Sequence, residues 1–269
     1  MDRNPVVAGQ FYPDNATALW GMIDEFHALA TEKQREPTLL AMVPHAGYVF
    51  SGPVCGKTLA SANLHSSVLM LGPNHTGMGA ELSMWTEGDW LLPEGKMPLD
   101  AELAVALEAA EPRLTPDRGA HVREHSLEVI MPFLHRLNPA TTVVPVAVSL
   151  ASLDSLEQVG RAVGGTLRDF NRPVSIVVSS DMSHYISQEQ AKKRDSMALE
   201  AVLELDPTRL FSVVRENRIS MCGILPMTLG LFAALEMGAE KAALCAYSTS
   251  GDVSGDYEQV VGYAGVLVS

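Results

Sequence analysis

Short apolar runs alternate along this chain with stretches of helical period. Thr38–Val43, Ser67–Leu71, Leu82–Trp85, Thr142–Val148, Ser175–Ser179, Ala242–Ser248 and Val261–Val268 read as strands. Runs of this length, many with β-branched residues, suit strands covered on both faces. Between them, Asn15–Ala30, Asp100–Ala110, Glu124–Leu137, Leu153–Phe170, Glu189–Leu205, Asp206–Asn217 and Leu225–Met237 place apolar residues three and four apart, and Gly56–Asn63 reads as part of a further helix. This alternation predicts an α/β fold with a mainly parallel or mixed central sheet flanked by helices. Thr86–Pro98 carries Gly, Pro and Trp and reads as a loop or hairpin. No repeat, low-complexity tract or linker interrupts the pattern, so residues 1–269 are expected to form a single domain.

The polar residues that follow the strands carry the candidate chemistry. Thr38–Val43 runs into Pro44-His45-Ala46-Gly47-Tyr48, Ser67–Leu71 into Gly72-Pro73-Asn74-His75, and Ser175–Ser179 into Ser180-Asp181-Met182-Ser183-His184. Ligands of open α/β sheets bind beyond the carboxyl ends of the strands. If these three strands are parallel neighbours, His45, His75 and His184 converge there. A single loop imidazole is usually a local hydrogen-bonding partner. Three at equivalent strand ends point to metal binding or proton transfer. Cys222 precedes the apolar helix that starts near Leu225, where the positive end of the helix dipole favours a thiolate. It reads either as a metal ligand or nucleophile, or as a small buried hydrophobe.

Charge narrows the partners. Nineteen Lys and Arg against 32 Asp and Glu give a net charge of -13, which opposes binding to nucleic acid. The densest basic run, Lys192-Lys193-Arg194, is flanked by Glu189 and Asp195. No apolar stretch reaches the roughly 18–20 residues of a membrane helix, and the first residues lack the apolar core of a secretory signal. Three cysteines, Cys55, Cys222 and Cys245, suit a reducing compartment rather than a disulfide scaffold. A cytoplasmic protein is expected.

Two further motifs bear on the chemistry. Gly52-Pro53-Val54-Cys55-Gly56-Lys57-Thr58 is similar to a phosphate-binding loop but has three residues between its glycines where four are required, so nucleotide binding is rejected. His121-Val122-Arg123-Glu124-His125 matches the H-x-x-E-H spacing of inverted zinc proteases and leaves a zinc-dependent hydrolase as an alternative.

The ordered blocks along the chain resemble the Memo family, also called AmmeMemoRadiSam system protein B. They are Val7-Ala8-Gly9-Gln10-Phe11-Tyr12-Pro13, Pro44–Tyr48 with Ser51-Gly52, and Leu71-Gly72-Pro73-Asn74-His75. Glu124-His125-Ser126-Leu127-Glu128 with Pro132-Phe133-Leu134, Ser179–Tyr185, Cys222-Gly223 and Val261-Gly262-Tyr263-Ala264 complete the set. The resemblance implies the fold of class III extradiol dioxygenases, whose non-haem iron is held by two His and a carboxylate. It implies metal ligands at His45, His75 and Cys222, with Cys222 where the dioxygenases have their carboxylate. It implies acid–base chemistry at His184, with Asp181 beside it to orient it or shape the pocket.

Two imidazoles and a thiolate suit iron, copper or zinc and do not suit magnesium or calcium. Glu124, His125, Glu128 and Asp181 are the nearest candidates to orient the ligands. The expectation is a Memo-like metal protein with redox, dioxygenase-like activity on a small molecule or peptide held in the cleft. The family name adds the AmmeMemoRadiSam system proteins as expected partners. The rival expectation is a non-catalytic binding module on the same fold.

Overall fold

The computed structural model describes all 269 residues. The chain runs α1 (Ala16–His27), β1 (Leu40–Val43), α2 (Tyr48–Ser61), β2 (Ser67–Pro73), β3 (Leu82–Met84), β4 (Trp90–Leu91), β5 (Lys96–Met97), α3 (Ala101–Ala110) and β6 (Thr115–Pro116). It continues α4 (Met131–Leu137), β7 (Thr142–Val148), α5 (Leu153–Asp169), β8 (Val174–Ser179), β9 (His184–Ile186) and α6 (Gln188–Leu203). The last elements are α7 (Pro207–Glu216), α8 (Ile224–Glu236), β10 (Ala242–Thr249), α9 (Gly251–Ser254) and β11 (Val260–Val268).

The strands form one mixed sheet in the order β10-β11-β1-β8-β2-β7-β3-β6, with β9 paired to β11. Its centre, β1-β8-β2-β7, is parallel throughout. Antiparallel strands flank it: β11 on β1 and β3 on β7. The alternation of side chains splits the apolar residues between two faces. Leu40, Met42, Leu69, Leu71, Val146 and Val178 face one core, shared with helices α3, α5 and α8. Ala41, Val43, Val68, Met70, Val143 and Val177 face the other, shared with α1, α2 and α4. Both faces are covered, which is why the strands read as unbroken apolar runs.

The expected α/β class, mixed sheet and helical flanks are therefore observed, and Thr86–Pro98 contains the small β4-β5 hairpin. Side-chain caps set several helix starts: Asn15 accepts from the Ala18 N–H, Asp100 from Leu103, Ser152 from Ser155 and Asp206 from Arg209. No helix is long and apolar enough to cross a membrane.

Two expectations change. The helix expected over Glu124–Leu137 begins only at Met131, after a single 3₁₀ turn at Glu128–Ile130. The Glu124 carboxylate accepts the N–H groups of His125 and Ser126, and this local turn competes with helix formation. The short strand β9 was not visible as a pattern; its residue His184 is opposite Val261 of β11.

Gly52-Pro53-Val54-Cys55-Gly56 lies inside α2, which confirms that it is not a phosphate loop. The two glycines are there for space. A Cβ on Gly56 would stand 2.5 Å from the Cβ of Phe26 on α1, and one on Gly52 would stand 2.3 Å from the Phe26 ring. Gly21, in the middle of α1, has no atom within 4 Å of such a Cβ. Gly56→Ala is expected to destabilise the protein by about 1–3 kcal/mol through overpacking. Gly21→Ala is expected to stabilise it by roughly 0.5–1 kcal/mol through helix propensity. Urea unfolding of both variants checks this; equal effects would contradict the packing assigned to α1 and α2.

Candidate metal centre

Two parallel strands deliver the first two imidazoles. β1 ends at Val43 and the chain turns through Pro44 to His45; β2 ends at Pro73 and turns through Asn74 to His75. β8 lies between them and ends in Ser179, followed by Ser180 and Asp181. A third imidazole, His125, arrives from the irregular segment after β6. Ring centroids of His45 and His75 are 5.3 Å apart, those of His45 and His125 5.6 Å, and those of His75 and His125 5.0 Å. One nitrogen from each of the three rings lies within 4.8 Å of the others. Cys222, just before α8, brings its Sγ to 3.5 Å from His45 Nε2.

Hydrogen bonds fix the tautomers of two of these rings. Ser179 Oγ gives its one proton to the carbonyl of Ser126 at 2.7 Å, so at its 2.5 Å contact with His45 Nδ1 it must accept. His45 therefore carries its proton on Nδ1 and has a free lone pair on Nε2, the atom beside Cys222. His75 Nδ1 stands 2.9 Å from Glu124 Oε1, and an ionised carboxylate only accepts, so His75 is also protonated on Nδ1 with Nε2 free. A carboxylate or other acceptor on the remote nitrogen is the usual support of a metal-binding imidazole. His125 lacks this support, since its Nδ1 is 3.5 Å from Glu124 Oε1. Its ring instead stacks on His75, tilted by 18°, and packs against Phe11 with centroids 4.8 Å apart.

Glu124 organises one half of the site. It is 1% exposed and accepts the His75 N–H on Oε2 at 2.6 Å. Its Oε1 takes His75 Nδ1 and the N–H groups of His125 and Ser126, each at 2.9 Å. Burial pushes this carboxyl up, but the hydrogen bonds from His75 and from the main-chain donors outweigh it and hold it at about 2. Asp181 organises the other half. Its Oδ1 accepts the His45 N–H at 2.8 Å and its own N–H points to Cys222 Sγ at 3.2 Å. Burial raises the Asp181 carboxyl, opposed by the His45 N–H and the nearby imidazoles.

His45 is enclosed, and burial followed by the neighbouring His75 and His125 keeps its imidazole well below the usual range and therefore neutral. The Cys222 thiol departs from the sequence expectation. Burial, and then the charge of Asp181, raise it well above the usual thiol range and outweigh its place before α8. A cation beside the sulfur would reverse that balance, because a coordinating thiol is deprotonated outright. The His45 and Cys222 pair fits such a cation, while the group whose ligand atoms all lie within 4.8 Å of one another is His45, His75 and His125, without Cys222. An imidazole nitrogen at about 2.0–2.1 Å and a sulfur at about 2.3 Å from one tetrahedral ion stand roughly 3.5 Å apart, the separation of His45 and Cys222 here.

The remaining candidates fall into three groups. His184, expected to converge with His45 and His75, does not join the three-imidazole cluster; its Nδ1 donates to the Ser220 carbonyl at 2.9 Å and its N–H to Ser220 Oγ at 2.7 Å. That leaves its Nε2 as the free atom. Ser220, not Asp181, fixes the His184 ring; Asp181 holds the main chain of His45. Glu128, expected to orient a ligand, is occupied elsewhere: it accepts from Arg3 Nη1, the N–H groups of Val6 and Val7, and the Tyr12 hydroxyl. His121 is also outside the cluster. Its Nε2 donates to the Ser83 carbonyl at 2.9 Å and its ring meets Trp85 and Trp90 edge-on, in a cluster where the two indoles also touch each other. Residues 124–127 are not helical and Glu124 serves His75, so the H-x-x-E-H spacing does not assemble a zinc-hydrolase site. Ser179 was not singled out from the sequence; its place in the Ser179–Tyr185 block was the available signal.

The sequence model of the Memo-like family matches residues 3–267. This chain belongs to the Memo family. A MEMO1 family protein of Methanopyrus kandleri is 38% identical over 279 residues, covering 99% of each chain. One from Methanococcoides burtonii is 39% identical over 268 residues, again with 99% of each covered. A bacterial relative from Aquifex aeolicus is 36% identical over 266 residues and 98% of each chain. The family shares the extradiol dioxygenase-like fold, in keeping with the mixed sheet described above.

The depressed Glu124 carboxyl makes a pH prediction. A carboxyl lowered by folding contributes stability that is present above its unfolded value, near 4.5, and lost as pH falls toward about 2. The shift corresponds to a loss on the order of 3 kcal/mol across that window. Urea midpoints of wild type and Glu124→Gln between pH 7 and pH 2 should converge below pH 4.5. Parallel pH dependences would refute the assignment.

Proposed function

We propose that this Memo-family protein is a metal-dependent oxidoreductase whose single ion is held by His45, His75 and Cys222. The carrying observation is the 3.5 Å approach of Cys222 Sγ to His45 Nε2, together with Nδ1 partners that leave Nε2 free on both His45 and His75. The donor set of two imidazoles and one sulfur suits iron or copper, with zinc also accepted by these atoms. When bound, such an ion supplies Lewis acidity and, for iron or copper, one-electron chemistry.

The chain's own residues do the rest. Glu124 holds His75 in its ligating tautomer, and Ser179 does the same for His45. Asp181 ties the His45 main chain to the Cys222 sulfur. His184, with Nδ1 fixed as a donor, accepts or returns a proton at Nε2. The side chains of His75 and His125 remain 35% and 26% exposed, which supports access by a small molecule or a peptide side chain. Three free thiols support a cytoplasmic setting. The AmmeMemoRadiSam system proteins are the partners this reading carries forward from the family.

A second donor set has an observation of its own: the convergence of His45, His75 and His125. Metal content by elemental analysis after anaerobic purification separates the two. The first set predicts near-stoichiometric iron or copper in wild type, loss in His45→Ala, His75→Ala and Cys222→Ala, and retention in His125→Ala. Retention in Cys222→Ala with loss in His125→Ala would replace the sulfur by the third imidazole. His184→Ala should keep its metal and lose turnover by about 10²–10⁴-fold. A wild type that refuses iron, copper and zinc would favour the non-catalytic binding module.

A further inference from the structure

Arg3 is a buried guanidinium, 5% exposed, contributed by the third residue of the chain. Its Nε donates to the His121 carbonyl at 2.8 Å, its Nη2 to the Glu124 carbonyl at 2.6 Å and its Nη1 to Glu128 Oε2 at 2.6 Å. Its plane lies over the Trp90 ring, 4.0 Å from the centroid. The following residues continue the same attachment. Val6, Val7 and Tyr12 all donate to Glu128, and Phe11 places its ring against His125.

The segment this strap grips is the one that shapes half of the metal centre. Residues 122–127 belong to no strand or helix, so no ladder holds their carbonyls. The guanidinium fork takes the Glu124 carbonyl at one end of that residue, while the Glu124 carboxylate at the other end takes His75 Nδ1, the His75 N–H and the His125 N–H. We propose that Arg3 is a positioning residue of the metal centre. The first dozen residues form a strap that sets the affinity for a divalent transition ion through Glu124. The requirement is for arginine and not for positive charge alone. Three acceptors in different directions need the planar fork, and an ammonium at this place keeps the Glu128 pairing but not both carbonyls.

This inference rests on the proposed metal site, and its test separates the two. Co²⁺ alone is titrated into the metal-stripped full-length protein and followed by the visible absorption of the bound ion. Wild type is compared with Arg3→Lys, Arg3→Gln and His75→Ala. Arg172→Met serves as a destabilised control, since Arg172 pairs with Asp100, which bonds Ser67 and Thr142 at the opposite ends of β2 and β7.

Both Arg3 variants should weaken Co²⁺ binding by about 10–100-fold, the usual effect of losing a group that orients a ligand. Arg172→Met should stay within about twofold of wild type. Arg3→Lys keeps a charge for Glu128, so it carries the test if Arg3→Gln does not fold. Wild-type affinity in Arg3→Lys overturns the inference, as does equal weakening in Arg3→Lys and Arg172→Met. A wild type that binds Co²⁺ no better than His75→Ala fails the metal reading itself.

Discussion

The carboxylate of Glu124 is the interaction on which the site depends. It is buried, ionised and surrounded by N–H donors from two residues of its own turn and from the end of another strand. A buried carboxylate without such partners would be driven to the neutral form; with them it stays charged and rigid. That requirement stops the helix from beginning at Glu124, fixes the tautomer of His75 and brings His125 against it. Three features of the local structure therefore have one cause.

Asp181 mirrors Glu124 on the other half of the site, with fewer donors. One oxygen holds the main chain of His45, and its own amide reaches the sulfur of Cys222. Each of the two residues thus contacts two candidate donor residues, and each stands at a break in regular structure after a strand or short turn. The sheet supplies the rigidity beneath them. β1, β8 and β2 are hydrogen-bonded neighbours covered on both faces, so the ends that carry His45, Asp181 and His75 are fixed relative to one another. Sites built on the ends of packed strands hold their geometry better than sites on free loops.

Much of this was legible in the residues. The apolar runs marked the central strands to within one or two positions, because strands buried on both faces cannot tolerate polar interruptions. His45 and His75 stood out since each follows such a run. The ring of ordered blocks pointed to the Memo family, and the family match across residues 3–267 agrees. Apart from the helix start at Glu124, which a local turn displaces, the expectations that changed involve side chains whose partners are distant in sequence. Glu128 lies 125 residues from Arg3 and His121 lies 38 from Ser83, and no local period records either pairing. The thiol of Cys222 went the same way: position before a helix is visible in the sequence, but the burial that outweighs it is not.

The sequence by itself determined the α/β alternation, the two-sided burial of the parallel strands and the presence of His45 and His75 at their carboxyl ends. These follow from residue-by-residue hydrophobicity and spacing, which act locally. Only the tertiary structure decided that His125 joins those imidazoles, that Glu128 anchors the amino-terminal strap, that His121 turns away against two tryptophans and that Cys222 meets His45. Those outcomes depend on which polar groups lose water together. Desolvation is a property of the packed molecule, and each buried polar atom takes whichever partner the folded chain brings within reach.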